Sequence, residues 1–153
     1  MAGEIDFEAV AEFFAATVEW IGDGRTRTKL GGCTLEIDNP LEVPPINPPE
    51  GITWPEQVFP AALAACWITT MTSIAERMNV ELEKLRVTVK PLLAVDDDGS
   101  FRFKEMRVYL EMGLKGENRE KRAARLVELT HKYCLISKAI KGNVEEKVEY
   151  KLV

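Results

Sequence analysis

Apolar and polar positions along this chain change period several times, and each change marks an element. Asp6 precedes a short amphipathic stretch ending at Phe14, which predicts a helix with Asp6 as its N-cap. Thr17-Val18-Glu19-Trp20-Ile21 alternates as a strand does and stops at the turn Gly22-Asp23-Gly24; a second strand containing Thr34-Leu35-Glu36-Ile37 makes a hairpin. The segment with Pro40, Pro44, Pro45, Pro48 and Pro49 suits neither a helix nor a central strand and reads as an extended loop, either functional or a spacer. A central helix is predicted over 53–78, apolar on every side around Cys66, as in a helix buried within a core or between two subunits. Strands follow over 84–95 and 101–114, joined by Asp96-Asp97-Asp98-Gly99, with Pro91 marking the first as an edge strand or the site of a bulge. A second helix over 118–133 lines up Ala123, Leu126, Val127, Thr130 and Cys134 on one stripe, so Cys134 points inward. A strand over 143–152 follows, and no internal repeat is present.

At 153 residues and 46% apolar, the chain is the size of one domain, 1–153, and long enough to bury roughly two-thirds of its unfolded surface without staples. A net charge of −5 leaves no basic footprint for nucleic acid; Arg119-Glu120-Lys121-Arg122-Ala123-Ala124-Arg125 is broken by Glu120 and reads as a solvated helix face. The first residues are acidic where a signal peptide is basic, and no apolar stretch is read as reaching the roughly 18 residues of a membrane span, so a cytoplasmic protein without membrane partners is expected. In that compartment three widely spaced cysteines argue against a structural disulfide framework, and any disulfide is expected to be transient. Without a Cys-x-x-Cys pair, zinc is not expected.

The wording around two of the cysteines is more specific than composition requires. Trp54-Pro55-Glu56-Gln57-Val58-Phe59-Pro60-Ala61-Ala62-Leu63-Ala64-Ala65-Cys66 resembles the Pro-Glu-x-Leu-x-x-Ala-Ala-x-x-Ala-Cys helix of the OsmC/Ohr family, the osmotically inducible and organic hydroperoxide resistance proteins. His131-Lys132-Tyr133-Cys134-Leu135-Ile136-Ser137 resembles that family's second-cysteine motif and follows two strands and a helix, the order the family keeps. Leu135 stands where the family usually has proline, and Trp54 and Pro60 stand where smaller or more helix-friendly residues are common. The resemblance implies an α+β, OsmC-like fold and an intertwined homodimer, with antiparallel sheets around long central helices and two active sites at the interface. It also implies a cofactor-free thiol peroxidase that reduces organic hydroperoxides and is regenerated by a dithiol such as one of dihydrolipoyl type. The other reading is a non-catalytic redox-sensing or ligand-binding protein on the same fold.

Peroxide chemistry needs a thiolate, and a free cysteine is only about 3% ionised at pH 7. Burial in an apolar helix raises the pKa further, so a reactive Cys66 requires a cation or several hydrogen-bond donors; otherwise Cys66 is a small core hydrophobe. An arginine suits, because its guanidinium stays charged when desolvated. The resemblance puts it in the first hairpin, at Arg25 if the turn matches the family's Gly-Gly-Arg or at Arg27 if the register is counted back from Leu35-Glu36-Ile37. Glu56 fits a capping box from Thr53, and it also fits a partner for the arginine that shuttles a proton to the leaving alkoxide. Ten residues from Cys66, about 15 Å along a straight helix, it serves its own subunit's site only if the helix bends sharply near Pro60, and otherwise the partner subunit's. The resemblance makes Cys134 the resolving thiol, which forms a disulfide with Cys66. Cys33 reads as structural and His131 as a helix-surface residue; Phe59, Trp54, Trp67 and the proline loop are candidates for an apolar wall that favours alkyl peroxides.

Overall fold

The structure, a computed structural model, describes residues 6–38 and 50–153. The proline-rich loop lies outside the described residues, except for Glu50. Two compact units divide the chain, one through Gln57 and the other Val58–Val153.

In the first unit, α1 (Phe7–Phe13) starts at Asp6, whose carboxylate accepts from the N–H groups of Glu8 and Ala9 at 3.1 and 3.2 Å. A sheet of β1 (Thr17–Gly22), β2 (Arg25–Leu30), β3 (Cys33–Ile37) and β4 (Ile52–Thr53) follows, in that order. The first three strands are antiparallel and β4 runs parallel to β3. The expected single hairpin is therefore two hairpins in succession. β2 escapes an apolar-pattern search because Arg25-Thr26-Arg27-Thr28-Lys29 has no apolar residue; threonines take the inward phase instead. The buried Thr28 hydroxyl donates to the Thr17 carbonyl at 2.8 Å and the Thr26 hydroxyl to the Ile37 carbonyl at 3.3 Å. The connection between β1 and β2 has positive φ at both Asp23 (49°) and Gly24 (80°), the backbone of a two-residue turn matched to strand twist, and it delivers Arg25 to the first position of β2.

The helix α2 (Pro55–Arg77) begins in the first unit and continues into the second. Its start corrects the expected capping box. Gln57, not Glu56, reaches back: its side-chain oxygen accepts from the Thr53 hydroxyl at 3.1 Å and the Trp54 N–H at 3.4 Å. With Pro55 as the first helical residue, the third position that closes such a box is 57. A second correction concerns length and polarity. Residues 58–75 carry no charge, and α2 is by length and composition long and apolar enough to cross a membrane. Its threonines disguise this in the sequence, but within the helix they return their hydroxyls to backbone carbonyls, Thr69 to Ala65 at 3.1 Å and Thr72 to Ile68 at 3.0 Å. Leu63, Trp67, Met71 and Ala75, spaced by four, are nonetheless buried in the core of the second unit, as in the central helix of a globular domain.

That core is closed by a sheet in the order β5 (Leu82–Val95), β6 (Phe101–Leu114), β7 (Glu145–Leu152). The central strand β6 buries Met106, Val108, Leu110, Met112 and Leu114 at alternate positions. It pairs antiparallel with β5 through a turn at Gly99 (φ 83°) and parallel with β7 through α3 (Arg119–Tyr133) and α4 (Leu135–Ile140). Pro91 lies in β5, an edge strand whose register shifts between Leu92 and Leu93, so both consequences expected of that proline occur. Ala123, Leu126, Thr130 and Cys134 are fully buried, as their helical spacing predicts. The separate helix α4 went unanticipated; Cys134 ends α3 with its N–H on the Thr130 carbonyl, and its own carbonyl accepts from the Lys138 N–H at 3.0 Å to open α4.

Candidate thiol site

Cys66 and Cys134, 68 positions apart, are brought close enough within the second unit for each to bear on the other's ionisation. α2 carries Cys66 half-buried, and the junction of α3 with α4 carries Cys134 fully buried; both are free thiols. Their surroundings push them in opposite directions. Burial pushes Cys66 up, but the Ile136 N–H, the Cys134 thiol, the Leu135 N–H and the Thr70 hydroxyl bond its sulfur and together hold it below its ordinary value. Burial pushes Cys134 up as well, and there it prevails over the Ser137 hydroxyl and N–H, with the neighbouring Cys66 raising it further. Anionic sulfur is therefore favoured on Cys66 at the expense of Cys134.

The requirement for donors is met in part by backbone, which no motif search reports. Leu135 is the first residue of α4, a position where proline is ordinarily welcome, and because it is not proline it has an N–H to give to Cys66. Its side chain is 73% exposed, so nothing in the core depends on its shape.

A buried carboxylate missed by the sequence reading stands behind the pair. Glu146, with a side chain 5% exposed, accepts at Oε1 from the Trp67 indole N–H at 2.8 Å and from the Ser137 hydroxyl at 3.0 Å. Its Oε2 is buried without a hydrogen bond and lies 3.4 Å from His131 Nε2, while the His131 ring stacks on Trp67 at 5.9 Å. The signal was present: Val144, Glu146, Val148 and Leu152 share the inward phase of one strand pattern, and only Glu146 is charged. His131 is half-exposed on its helix as expected, but engaged. Trp67 is fully buried with its polar atom committed to Glu146, so it lines no substrate wall; Phe59 meets Phe103 edge-to-face at 5.1 Å.

Arg25, Arg27 and Glu56 belong to the first unit. Arg25 meets Asp38 through Nε at 3.3 Å, whereas Arg27 grips Glu36 through Nε and Nη2 at 3.2 and 2.7 Å across the β2–β3 ladder. Among the described residues Glu56 forms no ion pair, and its Oε2 is buried without a hydrogen-bond partner. Cys33, expected as structural, is exposed at the start of β3. No cluster of three metal-ligating side chains occurs among the described residues.

The family model for OsmC-like protein matches residues 48–149, two-thirds of the chain and both cysteine segments. The chain belongs to the OsmC-like family. Among curated members, organic hydroperoxide resistance protein OhrB of Bacillus subtilis is 36% identical over 99 residues, covering 65% of this chain and 70% of that protein. Among solved members, an organic hydroperoxide resistance protein from Legionella pneumophila superposes with a TM-score of 0.68 at 28% identity, covering 90% of this chain and 95% of that one. An OsmC-like protein from Mycoplasma pneumoniae superposes at 0.76 with 19% identity, covering 92% and 96%, and carries the likeness of fold alone. The α+β architecture anticipated from the two cysteine motifs is thus the family's.

Proposed function

We propose that this protein is a cytoplasmic thiol peroxidase, a single OsmC-like domain over 1–153, that reduces organic hydroperoxides to alcohols with no cofactor. The observation that carries this reading is that the fold places two thiols near each other in surroundings that favour the anion on one and disfavour it on the other. The Cys66 thiolate attacks the terminal peroxide oxygen; the O–O bond breaks, two electrons pass from sulfur to oxygen, and the departing alkoxide takes a proton to become the alcohol. Cys66 is left as sulfenic acid. Cys134 then attacks that sulfur, a disulfide forms, and the hydroxyl leaves as water with the Cys134 proton. A dithiol reductant, of dihydrolipoyl type, restores both thiols by exchange.

Arg25 is assigned the activating role in preference to Arg27, whose guanidinium is already held by Glu36 through two nitrogens. Glu56 is assigned the role of orienting it and of passing the proton to the alkoxide; the unbonded Oε2 supports a missing partner at that carboxylate. A homodimer is part of the reading. α2 buries one stripe in its own unit, while the uncharged Ala61, Ala62, Ala65, Thr69 and Thr72 remain exposed, a composition suited to packing against a second copy.

The test is consumption of an organic hydroperoxide with a dithiol as sole reductant, followed by intact-mass and peptide analysis after one equivalent of oxidant. Turnover and a Cys66–Cys134 disulfide are expected. A protein that stays fully reduced, or oxidises first at Cys33, is not a peroxidase of this kind and returns to the redox-sensing or binding reading. Sedimentation giving a monomer at micromolar concentration removes the shared site.

A further inference from the structure

We propose that Glu146 is a positioning residue for disulfide formation: by accepting from Trp67 and Ser137 at a single oxygen, it holds the Cys134 segment in reach of the Cys66 helix. The inference rests on the reading above for its place in a catalytic cycle, though not for the geometry itself. Trp67 is the residue after Cys66 on α2, and Ser137 lies three residues beyond Cys134 in α4. Both donate to Glu146 Oε1, at 2.8 and 3.0 Å. With its hydroxyl proton given to Glu146, Ser137 turns its backbone N–H toward the Cys134 sulfur. One carboxylate oxygen, carried on a third element, β7, therefore joins the immediate neighbours of both sulfurs.

The arrangement is costly to keep for folding alone. A carboxylate in the inward phase of a strand must be desolvated, and an apolar residue there would continue the pattern of Val144 and Val148. Oε2 is buried without a hydrogen bond, with His131 Nε2 at 3.4 Å and its ring stacked over Trp67, so half of the carboxylate's hydrogen-bonding capacity goes unused among the described residues. What the carboxylate does secure is relative position. A disulfide forms only when the Cα atoms come within about 7 Å with the sulfurs correctly aimed, and sub-ångström placement strongly affects the rate of such an intramolecular step.

Positioning decides the fate of oxidised Cys66. If Cys134 is in place, its sulfur displaces hydroxide from the sulfenic acid, giving disulfide and water. If it is late, a second hydroperoxide transfers its oxygen to the sulfenic sulfur, giving sulfinic acid and a second alcohol. Glu146 biases this partition toward the disulfide.

The experiment uses the full chain with Glu146→Leu and Glu146→Gln, in two arms. In the first, excess organic hydroperoxide is added without reductant and the ratio of Cys66 sulfinic acid to Cys66–Cys134 disulfide is read by peptide mass analysis. In the second, diamide withdraws two electrons and two protons from the two thiols, becoming the hydrazine, and the rate of disulfide formation is followed without any peroxide. Glu146→Leu should slow disulfide formation about tenfold in both arms and raise the sulfinic fraction correspondingly; Glu146→Gln, whose amide oxygen can still accept from Trp67 and Ser137, should stay within about threefold of the unaltered protein. Wild-type disulfide rates in Glu146→Leu overturn the proposal, as does equal slowing by Leu and Gln. If Glu146→Leu does not fold, Ser137→Ala removes one of the two donors with little change in volume and must slow both arms; unchanged rates there overturn the proposal as well. An unaltered protein inert to hydroperoxide, with the diamide arm behaving as described, refutes the peroxidase reading and leaves the role of Glu146 standing. Failure of diamide to join Cys66 and Cys134 in the unaltered protein refutes the positioning role itself.

Discussion

The two units of this chain treat their apolar side chains in opposite ways. The unit Val58–Val153 closes Leu63, Trp67, Met71, Met106, Leu110, Met112 and Leu126 into a core with essentially no exposure, and the thiol pair sits inside it. The unit through Gln57 leaves Trp20 75%, Phe7 74% and Val18 53% exposed, and much of its sheet is tied by backbone ladders, threonine hydroxyls and the pairs Arg25–Asp38 and Arg27–Glu36. Exposed ion pairs contribute little, about 0–1 kcal/mol each, whereas a buried leucine contributes roughly 1.5–3 kcal/mol. The difference teaches that apolar burial is concentrated in the second unit, which also carries the thiol pair, while the first leaves an apolar sheet face and two ion-paired arginines exposed. Under the proposed homodimer, that face is the surface a second copy would meet.

The comparison breaks first at the sulfurs. Cys66→Ser should abolish hydroperoxide reduction, while Cys134→Ser should keep the first oxidation and collect stepwise oxygen additions on Cys66, both read by mass analysis after stoichiometric peroxide. If instead Cys33→Ser, in the first unit, is the substitution that abolishes it, the chemistry has been assigned to the wrong region. Next comes stability. Leu126→Ala should cost about 2–5 kcal/mol in denaturant unfolding, against about 0.5 kcal/mol or less for Trp20→Ser if the first sheet stays bare. A loss at Trp20 equal to that at Leu126 would instead mean that this face is covered in the native particle, sharpening the case for the dimer.

Arginine tests what the first unit presents. Arg25→Ala should slow alkylation of Cys66 at neutral pH by about tenfold, and Arg25→Lys should recover only part of it, because an ammonium cannot make forked contacts. A larger loss with Arg27→Ala moves the role to Arg27; equal, negligible effects leave Cys66 activated by the second unit's own donors. The smallest effect belongs to one of those donors. Leu135→Pro removes an N–H that favours the Cys66 thiolate, at a helix position tolerant of proline, so the pH profile of alkylation should move to higher pH with the fold retained. The sign follows from the direction of the native shift: Cys66 is held below its ordinary value, so its thiolate is lost only as pH falls through that lowered value, and a missing donor moves the loss to higher pH.

How much of this was legible depended on whether a residue's role is local. Asp6 as a cap, Pro91 on an edge strand with a bulge beside it, and Cys134 inward on the stripe with Ala123 and Leu126 follow from spacing and side-chain chemistry, and they recur in the structure. Where the pattern is carried by threonine, periodicity fails: β2 was invisible, and the apolar run of α2 read as shorter than it is, because a hydroxyl counts as polar until its backbone acceptor is known.

By itself, then, the sequence determined α1, α2, α3 and the long strands, the α+β class, the family and the two cysteines worth asking about, since all of these are encoded in neighbouring residues or short motifs. Tertiary structure alone decided that Cys66 and Cys134 lie near each other, that their surroundings shift them in opposite directions, and that Glu146 joins Trp67 to Ser137. A sulfur's acidity and a carboxylate's partners are set by whichever atoms the fold brings within about 3–4 Å, and those atoms come from segments whose distance along the chain says nothing of their distance in space.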